Sequence, residues 1–232
     1  MGFEMMEAHK PKDISVYAES CLEALSTSGL GKTLSLGGAF GLAHYHEYRS
    51  THDVDAWWHD NITEKEKKEV AEVISKVLSE YGETVIRSWG DVVSVELKVG
   101  NNKVFSFQIA ARSALLEPTR TSPWPGIGLD DFPDLVASKM TALVERGAPR
   151  DFRDVFTLCQ NNLTNIPACW EWWVKRQMLC GNNPDRQRAT LAVETHLERI
   201  ALQRPLERID SEKERQEAAS LRSWFLKEFL HG

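Results

Sequence analysis

The sequence predicts an α+β fold, with a small mixed sheet and flanking helices over residues 1–118 and a helical domain over 119–232. Three observations predict it. Short runs with strand alternation cluster in the first half. The stretch Glu117 to Pro133 carries four prolines (Pro118, Pro123, Pro125, Pro133) and two glycines, and reads as a loop or linker. Beyond it the apolar spacing is helical to the end.

Taken in order, Ile14 to Leu25 reads as an opening helix. Thr33 to Leu36 alternates Leu with small polar residues, as a short strand does, and Gly37-Gly38 ends it. Ala39 to Tyr48 has helical composition, and Val54 to Trp58 suits a second strand. Ile62 to Tyr81 is a strong helix. Thr63 and Glu66 form a capping box, and Val70, Val73, Ile74, Val77 and Leu78 follow helical spacing. Three further strands follow, at Thr84 to Ser88, Val92 to Val99 and Val104 to Ala110, with Gly100-Asn101-Asn102 as a hairpin turn. In the last, Phe105, Phe107 and Ile109 share one face, and Val104, Ser106 and Gln108 the other. Five helices are expected after the linker: Asp134 to Arg146 with Asp134 as cap, Asp151 to Gln160, Pro167 to Leu179, Pro184 to Leu202 and Leu206 to Leu230.

Composition narrows the class of protein. Of 232 residues, 42% are apolar and 27% charged, the balance of an ordinary soluble domain with enough chain for a real core. A net charge of −6 argues against bulk attraction to nucleic acid or anionic membrane. No run approaches the roughly 18 apolar residues of a membrane span, and polar Met1 to Asp13, with Glu4, Glu7 and Asp13, does not read as a signal peptide. Cys21, Cys159, Cys169 and Cys180 show no CxxC spacing and read as reduced, buried thiols of a cytoplasmic protein. The charge is uneven. Residues 1–118 hold 12 basic and 18 acidic side chains; residues 119–232 hold 16 of each, and 12 of those 16 bases are arginine. Arginine suits planar recognition of phosphate or carboxylate, but for any single arginine a solvated helix face with salt bridges is the first reading.

The informative stretch is Leu36-Gly37-Gly38, then Arg49, Thr51 and Asp53-Val54-Asp55. Residues i and i+2 of a strand share a face, so Asp53 and Asp55 project side by side. Adjacent carboxylates repel unless a cation lies between them. A hard cation such as Mg²⁺ takes oxygen ligands and commonly bridges to substrate phosphates. Two glycines before a helix let backbone amides approach a phosphate. Each piece alone is common in turns and strand ends; the order strand, Gly-Gly, helix, Arg, Asp-x-Asp is what points to a metal-plus-triphosphate site.

These residues resemble the nucleotidyltransferase superfamily that includes DNA polymerase β and, more narrowly, the AbiEii/AbiGii type of abortive-infection toxin. That group's first motif runs apolar-Gly-Gly, Arg, Ser or Thr, then Asp-apolar-Asp. A second stretch matches as well: Leu135 to Lys139, Ala142-Leu143, Arg146 and Arg150-Asp151-Phe152-Arg153-Asp154. The likeness covers roughly residues 34–158 and leaves the last 70, including Trp170, Trp172 and Trp173, without a matching motif. The resemblance implies a nucleotidyltransferase-like sheet whose cleft is completed by the helical half. Asp53 and Asp55 would bind two divalent cations, Mg²⁺ or Mn²⁺, that bridge the phosphates of a substrate NTP. Gly37 and Gly38 would seat the triphosphate, and Lys139 would offer a point charge to a phosphate. Arg49, Asp151 and Asp154 match family positions near the nucleotide; Arg49 would orient the Asp pair by hydrogen bonds or else pair with Glu47, and the two aspartates would otherwise pack and pair with Arg146 or Arg150. The implied activity transfers an NMP to a hydroxyl of RNA, plausibly tRNA, or of a protein, as the toxin of a toxin–antitoxin pair.

One departure stands out. The superfamily usually supplies a third carboxylate from a later strand, where this chain has Gln108. An amide oxygen can touch a metal but takes no proton at neutral pH. Glu96, on the polar face of the preceding strand, is the candidate substitute, or else pairs with Lys98 or Lys103. Without an acid there, the alternative is a catalytically degenerate relative that binds nucleotide, RNA or a protein partner. His44 and His46 fall on different sides of a helix, and His52 points to the strand face opposite Asp53, so a zinc site is not expected. The Trp170–Trp173 cluster reads as core before it reads as a base-stacking platform.

Overall fold

The computed structural model of the chain describes residues 6–51 and 53–230; the expectation for His52 and part of that for the first 13 residues lie outside them. By its internal contacts the chain divides into two units, Met1–Leu135 and Val136–Gly232.

The first unit is built on a seven-stranded mixed sheet. Helix α1 (Val16–Thr27) is capped by Ser15, whose hydroxyl accepts from the Ala18 amide. A 3₁₀ turn (Leu30–Thr33) leads into β1 (Leu34–Gly37), and the short α2 (Gly38–Ala43) follows with no intervening loop. Then come β2 (Val54–Trp58) and α3 (Glu64–Leu78), whose N-terminus carries the expected capping box of Thr63 and Glu66. The meander β3 (Glu83–Trp89), β4 (Val92–Val99) and β5 (Asn102–Ala111) turns at Gly90 and Gly100, both at positive φ. Two short strands, β6 (Arg120–Thr121) and β7 (Gly128–Leu129), complete the order β3-β4-β5-β2-β1-β7-β6.

The segment expected to be a bare linker is thus part of the sheet. β7 runs parallel to β1, and the Asp130 amide donates to the Leu36 carbonyl. Two-residue strands have no alternation for a sequence to display; β7 is made by its long-range pairing with β1, and β6 by pairing with β7.

One face of the sheet is the core. Val95 and Leu97 on β4, Phe105, Phe107 and Ile109 on β5, and Val54 on β2 are fully buried, as are Leu22 and Leu25 on α1 and Ile74 and Leu78 on α3. Burying each such phenylalanine contributes about 2 kcal/mol. By strict alternation the opposite face carries Asp55, Gln108, Ser106, Ser94 and Glu96.

The second unit is helical. The division falls within α4 (Phe132–Glu145), which is followed by α5 (Pro149–Gln160), α6 (Ile166–Leu179), α7 (Arg186–Gln203) and α8 (Glu212–Trp224), the last running into a π-helical turn (Phe225–Phe229). The single helix expected over 206–230 is divided. Leu206–Arg208 forms a 3₁₀ turn, and Ser211 starts a new helix by accepting the Glu214 amide. Asp134, expected as a cap, sits instead inside the first turn of α4, where its carboxylate accepts the amides of Leu116 and Glu117. Phe152, Trp170, Trp173, Trp224, Phe225 and Phe229 are buried, with ring centroids 4.8 Å apart for Phe152 and Phe225 and 5.4 Å apart for Trp170 and Phe229. The tryptophan cluster is core. Among the described residues, no helix is long and apolar enough to cross a membrane.

Candidate active site

The Gly-Gly pair sits where β1 meets α2. Gly38 has φ +59°, which an L side chain rarely adopts. A Cβ there would also strike the Asp55 carboxylate, and a Cβ on Gly37 would strike the Trp57 indole. Both glycines therefore have local steric reasons for being glycine. The second reason places a carboxylate directly against the backbone of the glycine turn.

The register explains that approach. Asp55 is paired with Gly37 on β1 and with Gln108 on β5, and Gln108 in turn faces Ser94 on β4. Ser94 is opposite Arg87 on β3, so Gly37, Asp55, Gln108, Ser94 and Arg87 form one cross-strand row. Asp53 lies just before β2 and is exposed, whereas Asp55 is half-buried. The Asp53 Oδ1 atom accepts two bonds from Ser106, the backbone amide at 2.9 Å and the hydroxyl at 2.8 Å. Lys103 Nζ donates to the same Ser106 hydroxyl at 3.4 Å.

Glu96 is opposite Ser106 and makes an ion pair with Arg87 Nε at 3.3 Å, a partner other than the Lys98 or Lys103 considered from sequence. Gln108 is exposed. Arg49 is half-buried with its guanidinium 5.7 Å from the Tyr48 ring centre, while the Glu47 carboxylate accepts the Lys12 and Asp13 amides.

The second sequence stretch lies in the helical unit. Lys139 Nζ meets Asp154 Oδ2 at 2.7 Å; the aspartate is fully buried and the lysine side chain only 10% exposed. Asp151 is also fully buried. It receives both Nε and Nη2 of Arg146 at 2.8 Å and caps the Ala148 amide at 3.1 Å. The bidentate fork is the stronger kind of charge-assisted bond.

The histidines are engaged elsewhere. His44 is buried with Nδ1 against the Phe40 carbonyl, and burial pulls its pKa down. His46 stacks on Tyr48 at 5.9 Å, and His59 Nδ1 is 3.0 Å from the Lys32 carbonyl. All four cysteines are free thiols, with Cys159 and Cys169 4.0 Å apart. Among the described residues, no three His, Cys, Asp or Glu side chains gather in metal-binding geometry.

Two features went unnoticed in the sequence. Ser106 reads there as an ordinary polar strand residue, and only the neighbouring strand's aspartate gives it a task. The buried Arg112–Asp130 pair, 2.6 Å apart, also holds the Ser35 hydroxyl on β1, two residues before Gly37. Its parts lie 95 residues apart at the extreme, beyond any local pattern.

A metal can be weighed against this donor set. Two carboxylates two residues apart, one of them pressed into a cradle that a Cβ would fill, offer hard oxygens. Mg²⁺ commonly binds through one or two carboxylates plus substrate phosphates and keeps several waters, so the residues fit it.

Comparison with known proteins bears on the same residues. The family model described as "Nucleotidyl transferase AbiEii toxin, Type IV TA system" matches residues 20–224. The chain belongs to the AbiEii family. The match spans both units, including the C-terminal helices that carry no motif of their own. A solved structure, that of a "putative nucleotidyltransferase from H. pylori", is similar at 15% identity with a TM-score of 0.45, over 93% of this chain and 97% of that one. No curated protein matches the sequence. As an AbiEii member, the chain belongs to a family of nucleotidyltransferase toxins of type IV toxin–antitoxin systems, and an antitoxin partner goes with that membership.

Proposed function

We propose that the chain is a divalent-metal-dependent nucleotidyltransferase that moves an NMP from an NTP to a hydroxyl on RNA, plausibly tRNA, or on a protein, acting in the cytoplasm as a toxin. The observation that carries this reading is the Asp55 carboxylate lodged against Gly38, with Asp53 two residues earlier, just before β2. Asp53 and Asp55 would hold the cation, and Glu96 is the candidate third ligand from the row that contains Ser106. The chemistry such a cation would supply there is neutralisation of phosphate charge for an in-line displacement. Gly37 and Gly38 leave room for a triphosphate at the turn. In the transfer, the acceptor oxygen bonds to the α-phosphorus and the bond to the β-phosphate oxygen breaks, releasing pyrophosphate. Arg49 would contribute positive charge to the nucleotide; in the helical unit Asp154 holds the Lys139 ammonium and Asp151 anchors Arg146.

A second reading, a degenerate member that binds nucleotide, RNA or a protein without transfer, is favoured by one observation: Gln108 stands in register with Asp55 where an acid is usual. One experiment separates the two. The protein is incubated with labelled NTPs, Mg²⁺ or Mn²⁺, and total RNA or lysate, alongside the Asp53→Ala/Asp55→Ala double variant and Glu96→Gln. We expect label transfer by the wild type, none by the double variant, and at least a tenfold loss with Glu96→Gln. Transfer that survives the double substitution removes the mechanism. Nucleotide binding without any transfer selects the degenerate reading.

A further inference from the structure

We propose that Ser106 is a positioning residue that makes Asp53 a one-oxygen ligand, and thereby sets a preference for Mg²⁺ or Mn²⁺ over Ca²⁺. The inference rests on the metal reading above and adds a residue and a selectivity to it.

The argument is one of lone pairs. An ionised carboxylate offers about two acceptor sites on each oxygen. On Asp53, Oδ1 already accepts the Ser106 amide at 2.9 Å and the Ser106 hydroxyl at 2.8 Å. Both of its sites are filled by one residue, and Oδ2 is what remains for a cation. Lys103, donating to the Ser106 oxygen, leaves that hydroxyl's own proton for Asp53. The serine is buried and its backbone is fixed by β5, between β2 and β4, so the arrangement is rigid where the aspartate itself is exposed.

A one-oxygen carboxylate suits some cations better than others. Mg²⁺ demands near-octahedral geometry at about 2.0–2.1 Å and binds few protein oxygens, whereas Ca²⁺ takes six to eight and readily uses both oxygens of one carboxylate. Filling Oδ1 removes the two-oxygen option. Such outer partners also fix the direction of the ligating atom, and their loss commonly costs ten- to a hundredfold in metal affinity.

The test compares two substitutions of nearly equal shape in the full chain. Ser106→Thr keeps the hydroxyl, and Ser106→Val lacks it; both β-branched residues suit a strand. Mn²⁺ binding is measured by electron paramagnetic resonance, with Ca²⁺ as competitor, and circular dichroism monitors the fold. We expect the wild type and Ser106→Thr to bind Mn²⁺ alike, with Ca²⁺ a poor competitor. Ser106→Val is expected to bind Mn²⁺ about tenfold more weakly, with a narrowed Mn²⁺-to-Ca²⁺ ratio. Equal Mn²⁺ affinity and equal ratio in the Val and Thr variants overturn the proposal. If either variant does not fold, Ser106→Ala against wild type decides by the same two quantities. A wild type that binds no Mn²⁺, with or without a nonhydrolysable NTP, overturns the metal reading itself, which is a different result from a Val variant matching Thr.

Discussion

In the first unit, Asp53 is exposed and held through one oxygen by a neutral serine, while Asp55 rests half-buried against a glycine turn. In the second, Asp151 and Asp154 have no exposed surface, and each receives a cation, Arg146 at 2.8 Å and Lys139 at 2.7 Å. All four carboxylates belong to the same resemblance, and the sequence does not rank them. The structure does. On the sheet, Asp53 is exposed and its Oδ1 is held by Ser106, so water or a cation can reach its other oxygen. Those among the helices are ion-pair partners whose charges the fold itself neutralises. Carboxylates of one motif can therefore serve ligands in one unit and architecture in the other.

The largest expected effect tests the architectural side. Asp154→Ala leaves the Lys139 ammonium buried without its partner, and removing one member of a buried pair typically costs about 3–5 kcal/mol. The urea midpoint should fall accordingly. An unchanged midpoint would mean that the pair carries no such weight, and would erase the contrast between the units.

A smaller effect is expected on the ligand side. Gly38→Ala forces a side chain into positive φ and against Asp55. It should cost about 1–3 kcal/mol in urea unfolding and, unlike Asp154→Ala, should displace a carboxylate that faces the proposed cation. Mn²⁺ affinity should therefore drop in Gly38→Ala even under conditions where the protein is fully folded.

The smallest effect concerns Asp134, which extends the comparison to a buried carboxylate in the first unit that accepts two backbone amides. Burial raises its pKa, and the bonds from Leu116 and Glu117 oppose the rise without cancelling it. With the folded pKa above the unfolded one, the folded chain binds more protons between the two values. This group's contribution is then greatest at low pH and declines as pH rises through that window. Asp134→Asn removes the titration. The stability difference, wild type minus Asp134→Asn, should shrink from acid toward neutral pH in parallel urea titrations. A difference that grows over the same range would reverse the assignment.

Much of the fold was legible from local pattern. The Thr63–Glu66 capping box, the alternation of Phe105, Phe107 and Ile109, and the Gly100 turn are all encoded within a few residues and appear where the sequence puts them. Strands β6 and β7 were not legible, because two residues carry no period; β7 pairs with β1, some 90 positions upstream, and β6 pairs in turn with β7. The break before Ser211 was hidden in a charged stretch that reads equally well as one continuous helix. At the site, strand periodicity predicted Asp53 and Asp55 on one face; Asp55 lies in β2 and Asp53 just before it. That Lys139 meets Asp154, that Glu96 meets Arg87, and that Ser106 fills one oxygen of Asp53 came from contacts between elements.

The sequence by itself determined the residue types, their spacing and the family, since hydrogen-bonded periodicity and turn chemistry act over a few residues and leave their mark in composition. The tertiary structure alone decided which charges are neutralised, which oxygen of Asp53 is occupied and which glycines are crowded. Those outcomes depend on distances of about 3 Å between residues far apart in the chain, over which a hydrogen bond or an ion pair either forms or does not.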